Sequence, residues 1–340
     1  MKMRLIGTGI WMMMGIALMG GCTSDDVVHK TAQETVPISF ASDGVDSPTK
    51  AEITDVWMQI NGTGQFGVYG YKGTTTLFTN ERVYRESNDW KHSTVRYWDK
   101  TGIYDFYAYA PYYNVAGMTF ANGRFTFTGG QVFMPISAAG IEDIVVAEPH
   151  RSLSYDYYHS ATNANGRVNF IFHHILSKLT FQFKKHQDVV AKVTVTDVKI
   201  GFPTCKSWTW NQTDNTAWGG GVSYNGYAES GGTSSLTPPD AELRTTVSEA
   251  TPSFIVVPGS TATTSHAMNM TVTYQLQYSD GIVDTHTKTV DIGSIAFAQN
   301  TQYIITATIS PQAINFEASA LNNWTDDPIA IELQEDSTTP

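Results

Sequence analysis

The chain has 340 residues and a formal net charge of −11, with 16% of its residues charged against 41% hydrophobic. It carries no Lys/Arg cluster, which argues against nucleic acid as a partner, because neutralising phosphates takes a basic surface. With 28 Gly, 17 Tyr, 16 Phe and 8 Trp beside abundant Thr and Ser, the composition is that of strands and the turns between them. It predicts a mostly β extracytoplasmic protein with a sizeable core.

Lys2 and Arg4 precede a run that holds no further charge before Asp25. Its h-region proper, Ile10 to Met19, is shorter than the roughly 20 apolar residues that span a bilayer, so residues 1–21 read as an export signal removed by cleavage. Leu18-Met19-Gly20-Gly21-Cys22 resembles the bacterial lipobox, at which the cysteine thiol is acylated and becomes the new N-terminus. Acyl chains at Cys22 would anchor the protein in the outer membrane, each buried CH₂ contributing about 0.8 kcal/mol. Thr23-Ser24-Asp25-Asp26 resembles the acidic tag that follows the lipidated cysteine of Bacteroidetes lipoproteins moved to the cell surface; the start of a solvated linker is the other reading. Residues 22–35 are polar and non-periodic, which suits a tether. Cys205 is the only other cysteine, so one disulfide is the maximum and none is possible once Cys22 is modified.

Val36 to Phe40 reads as a first strand, followed by a loop from Ser42 to Lys50 with Asp43-Gly44 and Ser47-Pro48 turn signals. Further strands are expected at Gln65 to Tyr71, Thr94 to Trp98, Tyr104 to Ala110, Arg124 to Phe127 and Asp143 to Ala147. Tyr104, Phe106 and Ala108 alternate with Asp105, Tyr107 and Tyr109, the period of a half-buried strand. The Asn-rich stretch Ser160 to Arg167 marks a domain boundary. Beyond it come a strand around Leu179, Phe181 and Phe183, a phase slip at Asp197 that predicts a bulge, and a strand Phe254 to Val257 stopped by Pro258. A hairpin follows across Tyr274 to Val290, turning at Ser279-Asp280-Gly281, and then a strand from Tyr303 to Ile309. Only Asn169 to Lys178 could hold a few helical turns. The architecture expected is two antiparallel β-sandwich domains in series, residues 36–165 and 166–340.

Four features invite a chemical reading. Gly62-Thr63-Gly64-Gln65-Phe66-Gly67 has dinucleotide-fingerprint spacing, but a strand follows where the mechanism needs a helix N-terminus. His173-His174 would point to opposite faces of a strand, so packing is favoured over metal binding. No facing carboxylate pair is visible, and neither an enzyme nor a cofactor is expected. Trp208, Trp210, Trp218, Tyr224 and Tyr227 fall in a Gly/Asn/Ser-rich stretch, Ser207 to Gly232, expected to be a loop. Its rings would either stack on a glycan or protein partner, or cover the edge of the second sandwich.

Several segments together resemble the fimbrillin family of Bacteroidetes, the Mfa-like subunits and accessory proteins of type V pili. They are Val36 to Phe40, Phe66 to Tyr71, Val95-Arg96-Tyr97-Trp98 with Tyr104 to Pro111, Asp143 to Ala147, Phe172 to Leu179, Phe254 to Pro258 and Trp324. The resemblance implies two transthyretin-like β-sandwich domains, a lipoprotein precursor that reaches the outer surface, and other pilus subunits as partners. In the family's stalk subunits an Arg/Lys-specific protease cuts the loop after the first strand. The opened groove then accepts a C-terminal strand of the next subunit, a case of β-augmentation. Here Lys50-Ala51 stands at the matching place, with lysine where the family usually has arginine, and Ile329, Ile331 and Leu333 offer the alternating apolar strand. The function implied is adhesion by a non-enzymatic fimbrial subunit, or an uncut anchor or tip that keeps its lipid. The alternative is a surface glycan-binding lipoprotein that uses Trp208 to Tyr227.

Overall fold

A computed structural model describes residues 36–45, 64–87, 89–112, 117–131, 133–135, 143–158, 167–227, 231–239, 242–259, 268–310, 313–322 and 328–331. Cys22, the tether, Lys50, Ala51, Trp324 and Leu333 lie outside the described residues.

In chain order the strands begin with β1 (Phe40–Val45), β2 (Gln65–Lys72), β3 (Thr75–Glu86), β4 (Asp89–Lys91), β5 (Ile103–Ala110) and β6 (Thr119–Ala121). β7 (Arg124–Gly129), β8 (Phe133–Pro135), β9 (Val145–Ala147) and β10 (His150–Ser154) lead to the four-residue helix α1 (Tyr155–Tyr158) and β11 (Val168–His174). Then come β12 (Ser177–Lys185), β13 (Lys192–Phe202), β14 (Cys205–Gln212), β15 (Gly220–Tyr227), β16 (Gly232–Leu236) and β17 (Ser248–Val256). β18 (Asn269–Gln277), β19 (Val283–Asp291), β20 (Thr301–Ile309), β21 (Ile314–Asn322) and β22 (Pro328–Ile331) complete the set. The protein is an all-β sandwich fold, as its composition predicts.

The first sheet runs β1-β11-β9-β5-β2-β3-β4, with β10 also paired to β5. The second runs β22-β21-β20-β12-β17-β8, the third β16-β13-β18-β19 and the fourth β15-β14-β7-β6. Most pairs are antiparallel; β1 with β11 and β12 with β20 are parallel. Pairing crosses the polar stretch before residue 167 in both directions. β11 joins the first sheet, while β7 pairs with β14 and β8 with β17.

Two apolar cores result. One packs Phe40, Phe66, Phe78, Phe106, Phe170 and Phe172 with Trp90, Trp98, Tyr104 and aliphatic residues between positions 36 and 172. The other gathers Phe127, Phe181, Trp210, Phe254, Tyr274 and Ile305 with their neighbours. β5 is therefore buried on both faces: Tyr104, Phe106 and Ala108 enter the first core, and Tyr107 and Tyr109 the second. Its alternation is real, but the face expected to meet solvent meets a second hydrophobic layer instead.

The bulge at Asp197 is present as a register shift between Val195 and Asp197. The β18–β19 hairpin turns with Gly281 at φ +89°, a conformation that glycine adopts without steric cost. Other expectations are corrected. The Asp43-Gly44 turn signal lies inside β1, where it produces a register shift between Ser42 and Gly44 rather than a loop. Tyr97 makes a single bridge to Pro37 instead of a strand. Asn169 to Lys178 is not helical, because Val168, Phe170 and Phe172 alternate into the core at period 2. Gly67 of the fingerprint-like spacing sits within β2, where a Cβ would run into the Tyr109 ring and Asn80. Close packing accounts for that glycine.

Candidate strand-exchange site

The chain from Val36 to Val45 forms one edge of the first sheet. Ile38 donates its N–H to Arg96 O at 2.8 Å, and Trp98 donates to Val36 O at 2.9 Å. Val168 donates to Ser39 O at 2.9 Å, and from Phe40 onward the segment runs parallel to β11. It is thus held on one side by residues 96–98 and on the other by β11. Alternate side chains, Val36, Ile38 and Phe40, point into the core, and Phe40 is fully buried. Its ring lies 5.1 Å from Phe78, 5.4 Å from Phe106 and 6.1 Å from Phe170 between centroids. Without this segment those three rings would lose a shared neighbour and β11 would present an unpaired edge.

Behind this edge Glu81 ties β3 to the 93–98 segment. Its carboxylate accepts hydrogen bonds from the N–H and hydroxyl of both Ser93 and Thr94, at 2.5 to 2.9 Å. Burial pushes the Glu81 pKa upward, but these four bonds favour the charged form more strongly and hold it below the usual carboxylate value.

The C-terminal candidate strand is β22, at one edge of the second sheet. Ile329 lies opposite Ala320 and Ile331 opposite Ala318 of β21, within four register pairs.

The histidine pair is structural. His174 Nδ1 lies 2.7 Å from Asp143 Oδ2, with both side chains fully buried. His173 Nε2 lies 3.1 Å from Glu148 Oε1, and its ring stacks on Trp218 at 4.5 Å and 12°. The adjacent histidines thus serve two different carboxylates. Among the described residues no group of three or more His, Cys, Asp and Glu is placed to hold a metal, and no helix is long and apolar enough to cross a membrane.

The aromatic stretch is a strand hairpin, not a loop: β14 pairs with β15, setting Trp208 opposite Tyr224 and Cys205 opposite Tyr227. Trp210 is fully buried and Trp208 is 3% exposed. Their indole N–H groups donate to Gln299 Oε1 at 3.3 Å and to Gln131 O at 2.7 Å. A Cβ on Gly220 would run into the Trp210 ring, so this glycine of the expected loop is where β15 approaches an indole closely. Neither tryptophan offers a ring face to a sugar. Trp218 is half-buried against His173, and half-buried Tyr224 donates its hydroxyl to Pro258 O at 2.6 Å. Cys205 is buried, and burial pushes its thiol pKa up.

A family model described as fimbrillin-like matches residues 49–324. The chain belongs to the fimbrillin-like family. The matched residues of this fimbrillin-like chain begin after β1 and end before β22. Among solved structures it is similar to a candidate cell adhesion protein from Bacteroides uniformis, at 18% identity and a TM-score of 0.51, over 86% of this chain and 99% of that one. A second candidate cell adhesion protein, from Bacteroides ovatus, matches at 13% identity and a TM-score of 0.47, over 90% and 99% of the two chains. A fimbrial assembly protein from Parabacteroides distasonis matches at 10% and 0.39, over 87% and 99%. The first of these likenesses supports the fold. Among curated proteins none matches the chain.

Sequence reasoning placed the first strand at Val36 to Phe40, whereas the strand that pairs with β11 runs Phe40–Val45, and it gave no sign of what the segment covers. β3, which supplies Phe78 and Glu81, is absent from the expected strands because Thr, Asn, Glu and Arg break its apolar period. The carboxylate partners of the histidines, Asp143 and Glu148, lie in or beside a predicted strand and had no pairing signal of their own.

Proposed function

We propose that this fimbrillin-like protein is a non-enzymatic, surface-exposed lipoprotein that takes part in a fimbria and in adhesion, and that it assembles with other pilus subunits by β-strand complementation. Residues 1–21 are the signal peptide, Cys22 is the lipidated residue anchored in the outer membrane, and residues 22–35 are the tether. Two sandwich units follow. The observation that carries the reading is the Val36–Val45 segment. It is an inserted edge strand with alternate side chains in a phenylalanine-lined core, and its removal would leave a groove beside β11 without separating two other strands.

In this scheme cutting at Lys50-Ala51 releases the segment. A second subunit then supplies its Pro328–Ile331 strand and the residues after it, including Leu333, as the replacement. The β22 edge is suited to exchange because, among the described residues, four register pairs hold it. An uncut chain would act as an anchor or tip. The test is assembly of the cut protein with and without residues 323–340, a truncation that spares β21. Higher-order assembly is expected only with them, and assembly that persists in their absence would overturn strand donation by this chain. The burial of Trp208 and Trp210 counts against two of the five rings on which the glycan-binding alternative rests, the others being Trp218, Tyr224 and Tyr227.

A further inference from the structure

A second feature lies away from both edges, on the outer face of the second sheet. On β20, Tyr303, Ile305, Ala307 and Ile309 enter the core, so Thr306 and Thr308 belong to the opposite face. The register sets Lys184 of β12 beside Thr308 and Thr308 beside Asn315 of β21, one row across three strands. The adjacent row is Gln182, Thr306 and Glu317. Beyond β12 the chain turns over the row, pinned by hydrogen bonds from Lys185 N–H to Arg244 O and from His186 N–H to Ile309 O, both at 2.8 Å. The result is an open surface cleft of about 380 Å³, lined also by Thr245. That is within the roughly 300–1,000 Å³ typical of small-molecule sites.

Three properties of the cleft point to one ligand chemistry. In a chain of net charge −11, Lys184 and Lys185 line it together, and among the described residues neither is ion-paired. His186 also lines it, but is held by Asp188 at 3.3 Å. Thr308 is 7% exposed, and its hydroxyl is buried with no hydrogen-bond partner among the described residues. Such a group is costly to leave unsatisfied, and at the wall of a polar cleft it is suited to a ligand's oxygen. Glu317, Asn315 and Gln187 add acceptors to the same lining. A bare anion would be repelled by Glu317. A hydroxylated ring carrying one carboxylate can place its acid on the lysines and its hydroxyls on Glu317, Asn315 and Thr308.

We propose that this cleft binds an acidic saccharide, with Lys184 and Lys185 on the carboxylate and Thr308 and Asn315 on the ring. The site uses neither β1 nor β22, so it stands or falls separately from strand exchange. The test is calorimetric titration of the full chain with a glucuronate-containing disaccharide and with the same disaccharide reduced at its carboxyl. The acidic form is expected to bind about tenfold more tightly or better, and to weaken as salt is raised. Lys184→Ala combined with Lys185→Ala should remove about tenfold or more of the affinity. Thr308→Val should lower affinity several-fold while its thermal midpoint stays at or above that of the unaltered protein, which separates a lost contact from a lost fold. Equal binding of the acidic and reduced sugars, no binding at millimolar concentration, or indifference to both variants would overturn the proposal. Inorganic sulfate binding as tightly as the disaccharide would overturn its saccharide part.

Discussion

Single side chains in this protein are set by the cores they enter more than by the chemistry their types suggest. Trp210 and Trp208 look like ligand-binding residues in sequence, yet each is packed on all sides and uses its indole N–H internally. Replacing either with Ala should cost about 3–5 kcal/mol of stability, as large aromatic truncations in cores do. Denaturant unfolding would measure it, and a loss under about 1 kcal/mol would contradict the packing described. Glu81 makes the opposite point, a charged residue whose role is structural. Its folded pKa is depressed, so its contribution to stability is present above the unfolded value, roughly 4.3, and is lost as pH falls through the folded value. Glu81→Gln should therefore be less stable than the unaltered protein at pH 7, by about 1–3 kcal/mol, with the gap closing as pH falls below about 4. Parallel unfolding curves at all pH values would show that the carboxylate does not act as charge.

The most consequential element is β1, and its energetics can be separated from its covalent attachment. Phe40→Ala in the intact chain should destabilise by about 3–5 kcal/mol, because the ring fills a space shared by Phe78, Phe106 and Phe170. In protein already cut at Lys50 and freed of its N-terminal segment, the same substitution cannot matter, so comparing thermal midpoints of the two forms isolates the strand's contribution. How far such elements could be read in advance depended on period. β2, β5, β12, β18 and β20 were legible as apolar runs, β18 with clean alternation, as were the hairpin at Gly281 and the bulge at Asp197. β14 and β15 were not, because their glycines read as loop signals, Gly220 among them, whose missing Cβ makes room for the Trp210 ring. The partners of β1 were not legible either. A parallel pairing between Phe40 and Val168 leaves no mark in local sequence, and neither does the row that brings Lys184, Thr308 and Asn315 together.

At the scale of the whole molecule, the proposed scheme would make the first strand a plug whose chemical tie and physical hold differ. Cutting the chain at Lys50 would remove the tie, but the hold remains. Val36, Ile38 and Phe40 stay buried, and the hydrogen bonds to residues 96, 98 and 168 persist. Apolar burial of these three side chains and the backbone hydrogen bonds both oppose release of the cut segment. Cleavage alone should therefore leave a protein that still carries its own first strand, and release should need a competing strand to take the same edge. Adding a peptide of residues 328–340 to cut protein should displace the N-terminal segment in proportion to peptide concentration, followed by intact mass under native conditions. The uncut protein, with its strand covalently tethered, should resist at the same concentrations. On the native cell surface, the corresponding species is a chain that begins at Ala51 and carries no lipid. If acylated Cys22 is the only N-terminus found there, the plug is permanent, the stalk role is lost, and the protein can serve a fimbria only as an anchor or a tip.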